Sequence, residues 1–407
     1  MNTSSSSLAL SGLQVLDLSR LLPGPMCSHI LMGFGADVLK VEDTGAGDYA
    51  RRNLPLVLGQ YGATYTATNA GKRSIAINLK TEEGKAILSK LIEQADVLIE
   101  SFRPGVMARL GFDPQTLLAQ HPRLIYCAIS GFGQSGAQAK LAGHDLNYQA
   151  AAGLVSQRLS TDRSVPPTLL ADLVGGAQGA AMSILAAVLQ RHNTGKGQFI
   201  DISLAHGCLA LLAHTATAEL NGDVGVPFGQ SRLTGGNPSY GVYEAADGQL
   251  VALGALEAKF WSAFCAEAGL DDLADLNTNG DDATRAAIAL RLTALFKTKT
   301  AAEWHALGEQ WDVCLNRVNS LSEARDWAME YEGALFHRYT QDGSGREVRV
   351  LAGVTANLAQ EGRELTPPPR QGQHTRDILL SNGWTDEAIA NLAEAGTIQL
   401  DASPTQG

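Results

Sequence analysis

Residues 13–41 read LQVLDLSRLLPGPMCSHILMGFGADVLKV, and this stretch decides the fold. Leu13 to Leu18 alternates and ends in Ser19-Arg20, the pattern of a strand. Pro23-Gly24-Pro25 predicts a turn. Met26 to Phe34 predicts an apolar helix, and Ala36 to Val41 a second strand. A strand, a turn, a helix and a strand in this order form a unit of Rossmann type.

Working outward, Ser74 to Leu79 predicts another strand. Thr81 has the character of an N-cap, with Glu82 and Glu83 in the first turn, where the helix dipole favours acids. That helix runs to about Gln94. Val97 to Ile99 and Leu124 to Ser130 are further strands, with two short helices between them. Leu169 to His192 predicts one long, largely apolar helix, and its small residues from Gly175 to Ala181 let another backbone approach closely. Asn193 to Gly197 predicts a turn, Gln198 to Ser203 a strand, and Ala205 to Leu220 a helix.

Residues 221–239 carry several glycines and prolines and predict a linker. The pattern changes beyond it. Gly241 to Glu244 and Leu250 to Leu253 predict a hairpin across Ala245-Ala246-Asp247-Gly248-Gln249. Helices are expected near 257–269, 283–297 and 300–310, so 240–319 reads as a smaller α+β domain. Phe336 to Tyr339 and Glu347 to Leu351 predict a late hairpin across Asp342-Gly343-Ser344-Gly345. The tail beyond Pro367 reads as loop plus one short helix. The large domain is thus expected to span 1–220, with 320–407 returning to it. A chain of 407 residues exceeds one ordinary core, which agrees with two domains. No internal repeat is visible.

Composition bounds the function. A formal net charge of -11 argues against a nucleic-acid partner, because a phosphate backbone needs a basic face. Met1 to Ser7 is a serine tail without the features of a signal peptide. No stretch reaches the length of a membrane span without charges or glycines, so no membrane partner is expected. Cys27, Cys127, Cys208, Cys265 and Cys314 are far apart and show no metal spacing. They predict reduced thiols, a cytoplasmic protein and no metal site.

Two stretches carry candidate chemistry. Gly143-His144-Asp145-Leu146-Asn147-Tyr148 sets a histidine in polar company. Leu170-Ala171-Asp172-Leu173-Val174-Gly175-Gly176 places a lone aspartate in an apolar run. A histidine and a carboxylate that face one cavity from different elements form an acid/base pair. Gly131-Phe132-Gly133-Gln134-Ser135-Gly136 matches the dinucleotide-binding glycine pattern. However, no apolar helix comes after it, and no acid closes a second strand about 20 residues on. It reads as a tight turn beside the site. Lys72-Arg73, Lys80, Arg103 and Arg109 fall at the ends of strands, where such sheets bind ligands. Cations clustered on an acidic protein suit a polyphosphate.

Several motifs in order now carry a resemblance. They are Leu10-Ser11-Gly12-Leu13-Gln14-Val15-Leu16-Asp17, Pro23-Gly24-Pro25, Gly35-Ala36-Asp37-Val38, Ala95 to Gly105, Gly131-Phe132-Gly133 and Gly195-Lys196-Gly197-Gln198. Together they resemble the family III CoA-transferase superfamily, to about residue 270. The hexapeptide from Gly143 to Tyr148 resembles its α-methylacyl-CoA racemase branch. The resemblance implies that fold, with an interlocked homodimer. It implies His144 and Asp172 as proton-transfer residues, Glu257 as support for the histidine, and main-chain N–H groups near Asp145 as holders of the thioester oxyanion. It places coenzyme A, as part of the substrate, against Ile77, Asn78, Leu79, Lys80, Ser101, Phe102, Arg103, Arg109, Gly143, His144, Asp145, Leu146, Asn147 and Tyr148. It implies a racemase that interconverts (R)- and (S)-2-methylacyl-CoA, with no separate cofactor. The other reading is a CoA-transferase in which Asp172 attacks the thioester. An idle CoA-binding scaffold is a third, which His144, Asp172 and Glu257 argue against. One departure stands out: the family often carries an arginine where this chain has Asp43, so either Lys72, Arg73 or Arg51 is expected to supply that contact, or the adenine end is held differently.

Overall fold

The computed structural model describes residues 8–156, 165, 167–222, 231–275, 278, 280–329, 335–341, 343–352 and 364–401. The serine tail and residues 223–230 of the expected linker lie outside these. Strands run in chain order as β1 Gln14–Asp17, β2 Asp37–Glu42, β3 Leu56–Val57, β4 Tyr61–Gly62, β5 Arg73–Ile77, β6 Val97–Glu100, β7 Ile125–Ser130 and β8 Phe199–Ser203. They continue as β9 Tyr240–Glu244, β10 Leu250–Gly254, β11 Leu315–Arg317, β12 Phe336–Thr340, β13 Glu347–Leu351 and β14 Ile398–Gln399. The chain divides into two compact units. One comprises Met1–Val155, Val165–Ala213 and Tyr331–Gly407, and the other Ser156–Ser164 and His214–Glu330. These breaks fall at Ala213 and Tyr331, where the sequence reading put them at 220 and 320.

The first unit is built on a 7-stranded sheet in the order β14-β5-β2-β1-β6-β7-β8. β14 is antiparallel to β5; the other strands pair in parallel. Numbered among themselves, the parallel strands take the doubly wound order 3-2-1-4-5-6, which is the Rossmann-type sheet expected. Chain order reverses between β1 and β6. The connections leaving these two strands diverge and open a crevice at their carboxyl ends. Val15, Val38, Val97, Ile99, Ile125 and Cys127 pack one face of the sheet against helices Pro23–Gly33 and Gly179–Thr194. Leu16, Leu39, Ile75, Leu98 and Tyr126 pack the other face against helix Glu82–Ile92. Thr81 caps that helix by accepting from the Gly84 N–H at 3.1 Å, as expected.

The sequence reading needs correction at several places. Pro23-Gly24-Pro25 opens a helix instead of making a turn. The missing proline N–H groups fall in the first turn, where no helical partner exists for them. Gly24 is required there, since a Cβ would collide with the Ser19 side chain. The run from Leu169 is not uniformly α-helical: Ala171–Gln178 is a π-helix that continues into Gly179–Thr194. Together, Ala171–Thr194 is long and apolar enough to cross a membrane by length and composition. Yet it carries Asp172 and buries Ala177, Ala180, Ile184 and Ala187 in the core of this unit. The expected helix 205–220 is two helices, Leu204–Leu211 and Ala213–Leu220. The tail holds two helices, Thr375–Ser381 and Asp386–Glu394, and the edge strand β14. Ile378, Leu379, Ile389 and Ile398 bury themselves against the sheet, a reward that a reading of loop composition misses.

Charged side chains are buried beneath the carboxyl ends of β1, β2 and β5. Lys72 donates to Asp17 Oδ2 at 3.1 Å, Ser28 Oγ at 2.7 Å and the Pro25 carbonyl at 2.9 Å. Lys40 pairs with Asp48 at 2.8 Å and donates to the Ser19 carbonyl at 3.0 Å. Arg51 donates through Nε to Glu42 Oε1 at 3.0 Å and through Nη2 to Glu42 Oε2 at 2.5 Å. Burial alone would raise the Asp17 carboxyl, but Lys72 and Lys40 hold it down to about 2.

The second unit carries a 3-stranded antiparallel sheet, β11-β10-β9. It packs on helices Ala258–Ala268, Asp282–Phe296 and Ala301–Trp311, close to the expected spans. Its core centres on Trp261, Phe264, Phe296 and Trp304. The Trp304 indole donates to the Phe296 carbonyl at 3.0 Å.

Lys40→Met tests the buried charges. It leaves Asp48 desolvated without its cation and is expected to cost about 3–5 kcal/mol. Denaturant unfolding monitored by circular dichroism reads this. A loss below about 1 kcal/mol would mean that the pair is not needed for folding.

Candidate active site

The crevice at the strand reversal contains a cavity of about 370 Å³. Its wall is formed by Arg20, Leu21 and Pro23 after β1, Ser101 to Pro104 after β6, and Ser130 and Gly131 at the end of β7. Gly143, His144, Asp145, Tyr148 and Asp172 complete it, so the two stretches singled out in the sequence meet in one site.

His144 is the N-cap residue of helix Asp145–Ala151. Its main-chain N–H donates to Asn147 Oδ1 at 3.0 Å, which fixes the entry to the helix, and the residue is exposed. The Tyr148 hydroxyl donates to the Gly143 carbonyl at 2.5 Å, and its ring meets Phe132 edge-on at 5.3 Å. Glycines 131 and 143 are required beside this ring, because a Cβ on either would overlap it.

Asp172 stands in the first turn of the π-helix. Its main-chain N–H donates to Asp145 Oδ1 at 2.9 Å. The other Asp145 oxygen accepts from Gln149 Nε2, which also donates to the Thr168 carbonyl at 3.2 Å. Asp145 is therefore a buried brace between two helices, and its carboxylate is spent on the protein. The same carboxylate acts on its neighbour: burial first, and then the charge of Asp145, push the Asp172 carboxyl up to about 7. Asp172 is thus a neutral acid over much of the range in which an ordinary aspartate is an anion.

The candidate coenzyme contacts divide. Ser101, Phe102, Arg103, Gly143, His144, Asp145 and Tyr148 line the cavity. Ile77, Asn78, Leu79, Lys80, Arg109, Leu146 and Asn147 do not. Ile77 is in the sheet core against Ile398. The Asn78 amide oxygen accepts from the Lys80 N–H at 3.1 Å. Glu257 lies in the second unit, exposed, as the N-cap residue of helix Ala258–Ala268 and without a capping bond from its side chain. The glycine pattern 131–136 forms a turn in which the Gln134 N–H donates to Asp201 at 3.0 Å, with no helix behind it.

Arg20 escaped the sequence reading. Its guanidinium pairs with Asp43 at 2.7 Å and lies 5.5 Å from the Tyr49 ring centroid and 5.8 Å from that of Phe102. Asp43 thus anchors a cation at the cavity wall. The expected substitutes are committed elsewhere: Lys72 and Arg51 are buried in their ion pairs, and Arg73 pairs with Asp37 at 2.8 Å. The position of Arg20, at the end of the first strand beside the chain reversal, was the signal that could have found it. Beneath the β6 loop, the buried Glu100 accepts from the Phe102 N–H at 2.7 Å. Burial and then Asp201 raise its carboxyl to about 7, against the Phe102 bond, which lowers it.

A doubly wound sheet with an acid and an imidazole in its switch-point crevice defines an enzyme of small-molecule chemistry. The model of CoA-transferase family III matches residues 10–375, and the chain belongs to that family. It is 34% identical over 396 residues to the α-methylacyl-CoA racemase of Mus musculus, covering 97% of this chain and 98% of that one. It is also 32% identical to the succinyl-CoA:glutarate CoA-transferase of Mus musculus, over 96% of this chain and 90% of that one. The crystal structure of a CAIB/BAIF family protein from Brucella suis superposes with a TM-score of 0.76 at 26% identity, covering 93% of this chain and 100% of that one. Racemases and CoA-transferases thus both stand among the relatives.

The raised Asp172 carboxyl makes stability depend on pH. The folded chain binds this proton more tightly than the unfolded chain, whose carboxyl has the ordinary value of 3.8. The resulting stabilisation is complete below 3.8 and is lost as pH rises through about 7. Asp172→Asn removes this titration. It is expected to exceed wild type by ~2–4 kcal/mol above about pH 8, with the gap closing in acid. Unfolding midpoints across a pH series measure it. A pH-independent gap would mean that Asp172 is not perturbed.

Proposed function

We propose that this enzyme is a racemase of 2-methylacyl-CoA thioesters, interconverting the (R) and (S) forms by proton transfer at the α-carbon. The observation that carries this reading is Asp172, set beside the buried Asp145 in the same cavity as the exposed His144, a setting that pushes the Asp172 carboxyl up to about 7. The proton α to a thioester is weakly acidic, so its removal needs a base and a place for the enolate charge. In one direction the unprotonated His144 imidazole takes the α-proton, and the bond's electron pair moves onto the thioester oxygen. The neutral Asp172 carboxyl then delivers its proton to the opposite face of the same carbon. The reverse direction exchanges the two roles. The main-chain N–H groups near Asp145, at the start of helix Asp145–Ala151, are assigned to the oxyanion.

A carboxylate nucleophile serves best ionised, and the upward push on Asp172 works against it. That supports proton transfer over the transferase reading, in which Asp172 would carry the acyl group as an anhydride. Ser101, Phe102, Arg103 and the 143–148 segment at the cavity support an acyl-CoA substrate held there. Asn78, Leu79, Lys80 and Arg109 are assigned to its outer, nucleotide portion, and Ile77 to the core beneath them. Glu257 is assigned as orienting support for His144, within an interlocked homodimer. The reading needs neither a metal nor a redox cofactor. The free state of Cys27, Cys127, Cys208, Cys265 and Cys314 supports a cytoplasmic placement.

One enantiomer of a 2-methylacyl-CoA, incubated in deuterated water with no acceptor acid, is expected to gain deuterium at C2 and to racemise. His144→Ala should lower that exchange by about 10²–10⁴-fold while affinity for free CoA stays near wild type. In wild-type turnover the peptide that holds Asp172 should remain unmodified under hydroxylamine trapping and mass spectrometry. Activity that appears only with a free acid, together with an adduct on that peptide, would replace the racemase with the transferase.

A further inference from the structure

We infer that Ser130 is a substrate-contacting residue whose hydroxyl takes its hydrogen-bond partner from a carbonyl oxygen of the bound acyl-CoA. Ser130 ends β7 and lines the cavity together with His144 and Asp172. It is 8% exposed, and its Oγ is buried with no hydrogen-bond partner among the described residues. The hydroxyls beside it are engaged. Ser203, its register partner on β8, lies 3.4 Å from the Gly131 carbonyl it donates to and accepts from the His206 N–H at 3.2 Å. Ser101, which follows the neighbouring strand β6, accepts from the Arg20 N–H at 3.3 Å.

A buried hydroxyl without a partner is costly and uncommon, so a molecule bound beside it is the natural place to look for the missing group. The cationic groups at the cavity wall, Arg20 and Arg103, can only donate, so they cannot receive the Ser130 proton. A carbonyl oxygen can. An acyl-CoA brings two kinds into such a cavity: that of the thioester and those of the pantetheine amides. The inference rests on the acyl-CoA reading above and adds to it a residue that the acid/base pair does not include. A bond to a pantetheine amide is made equally to substrate and transition state, so its loss raises KM and leaves kcat in place; a bond to the thioester oxygen, which gains charge in the enolate, strengthens in the transition state, so its loss lowers kcat as well.

The experiment compares wild type, Ser130→Ala and Ser130→Thr for binding of 2-methylbutanoyl-CoA and of free CoA by calorimetric titration. Deuterium exchange at C2 and unfolding of the unliganded proteins are read alongside. Ser130→Ala is expected to lose roughly tenfold in affinity for the acyl-CoA, with kcat within about twofold of wild type where free CoA loses affinity in parallel and lowered where it does not. Its unliganded stability should be unchanged or higher, because deleting an unsatisfied hydroxyl removes a desolvation cost. Ser130→Thr, which keeps the hydroxyl, should retain most of the affinity. A parallel loss for free CoA assigns the bond to a pantetheine amide. A loss confined to the acyl-CoA assigns it to the thioester. Unchanged acyl-CoA affinity in Ser130→Ala overturns the inference alone. A less stable Ser130→Ala with normal affinity also overturns it, in favour of a role in the fold. Wild type that binds no acyl-CoA overturns the parent reading and this inference with it.

Discussion

Asp48 holds the crevice open from below. One of its oxygens receives Lys40, buried to zero exposure, and the other accepts from the main-chain N–H of Leu21 at 3.0 Å. Leu21 has φ 65, a left-handed conformation that a leucine adopts only when its surroundings enforce it. That single turn swings the chain from the end of β1 into helix Pro23–Gly33, leaving Arg20 and Leu21 at the cavity wall. The network continues through Glu42, whose Oε1 accepts from the Asp48 N–H at 3.1 Å. Burying so many charges does little for stability by itself. Its effect here is geometric: it fixes the rim from which ligand-facing side chains project.

A second pairing of like charges sets the chemistry. Asp145 and Asp172 are both largely buried, but their surroundings differ. Asp145 receives two N–H donors, from Gln149 and from the Asp172 main chain. Asp172 has burial and a negative neighbour acting on it in the same direction. Where two carboxyls share a low-dielectric site, the one with fewer donors keeps the proton. The residue beside the histidine in sequence is thus the tuner, and the residue 27 positions away is the one whose carboxyl is raised.

How much of this was legible depended on how local the signal was. The parallel sheet could be read from residues 13–41 and 74–130, because buried strands and a capped helix announce themselves within a few residues. The meeting of His144 with Asp172 was also expected, since polar residues in an unusual setting stand out. The proline–glycine–proline helix start was misread because the same residues serve turns and first turns alike. The π-helical segment left no trace in hydropathy, which repeats similarly in both helix types. Arg20 was passed over because its partner, Asp43, comes from another strand's loop, and Lys72 was taken for a ligand-binding cation because its burial is decided by Asp17 and Ser28. Ser130 carried no sequence signal at all, since an unpaired hydroxyl is visible only once every neighbour is placed.

The π-helix at Ala171–Gln178 has a consequence for how such a chain can change. A π turn accommodates more residues per ring than an α turn, so it is a stored insertion. An insertion absorbed in a π turn leaves the helix on either side in phase, whereas the same residue added to an ordinary α-helix rotates one end by about 100° relative to the other. The turn thus lets Asp172 line the cavity while Ala180, Ile184 and Ala187 keep their places in the core. Gly175 and Gly207, whose backbones touch without room for a methyl, hold the present phase. The position of Asp172 is therefore set by helical phase as much as by residue type.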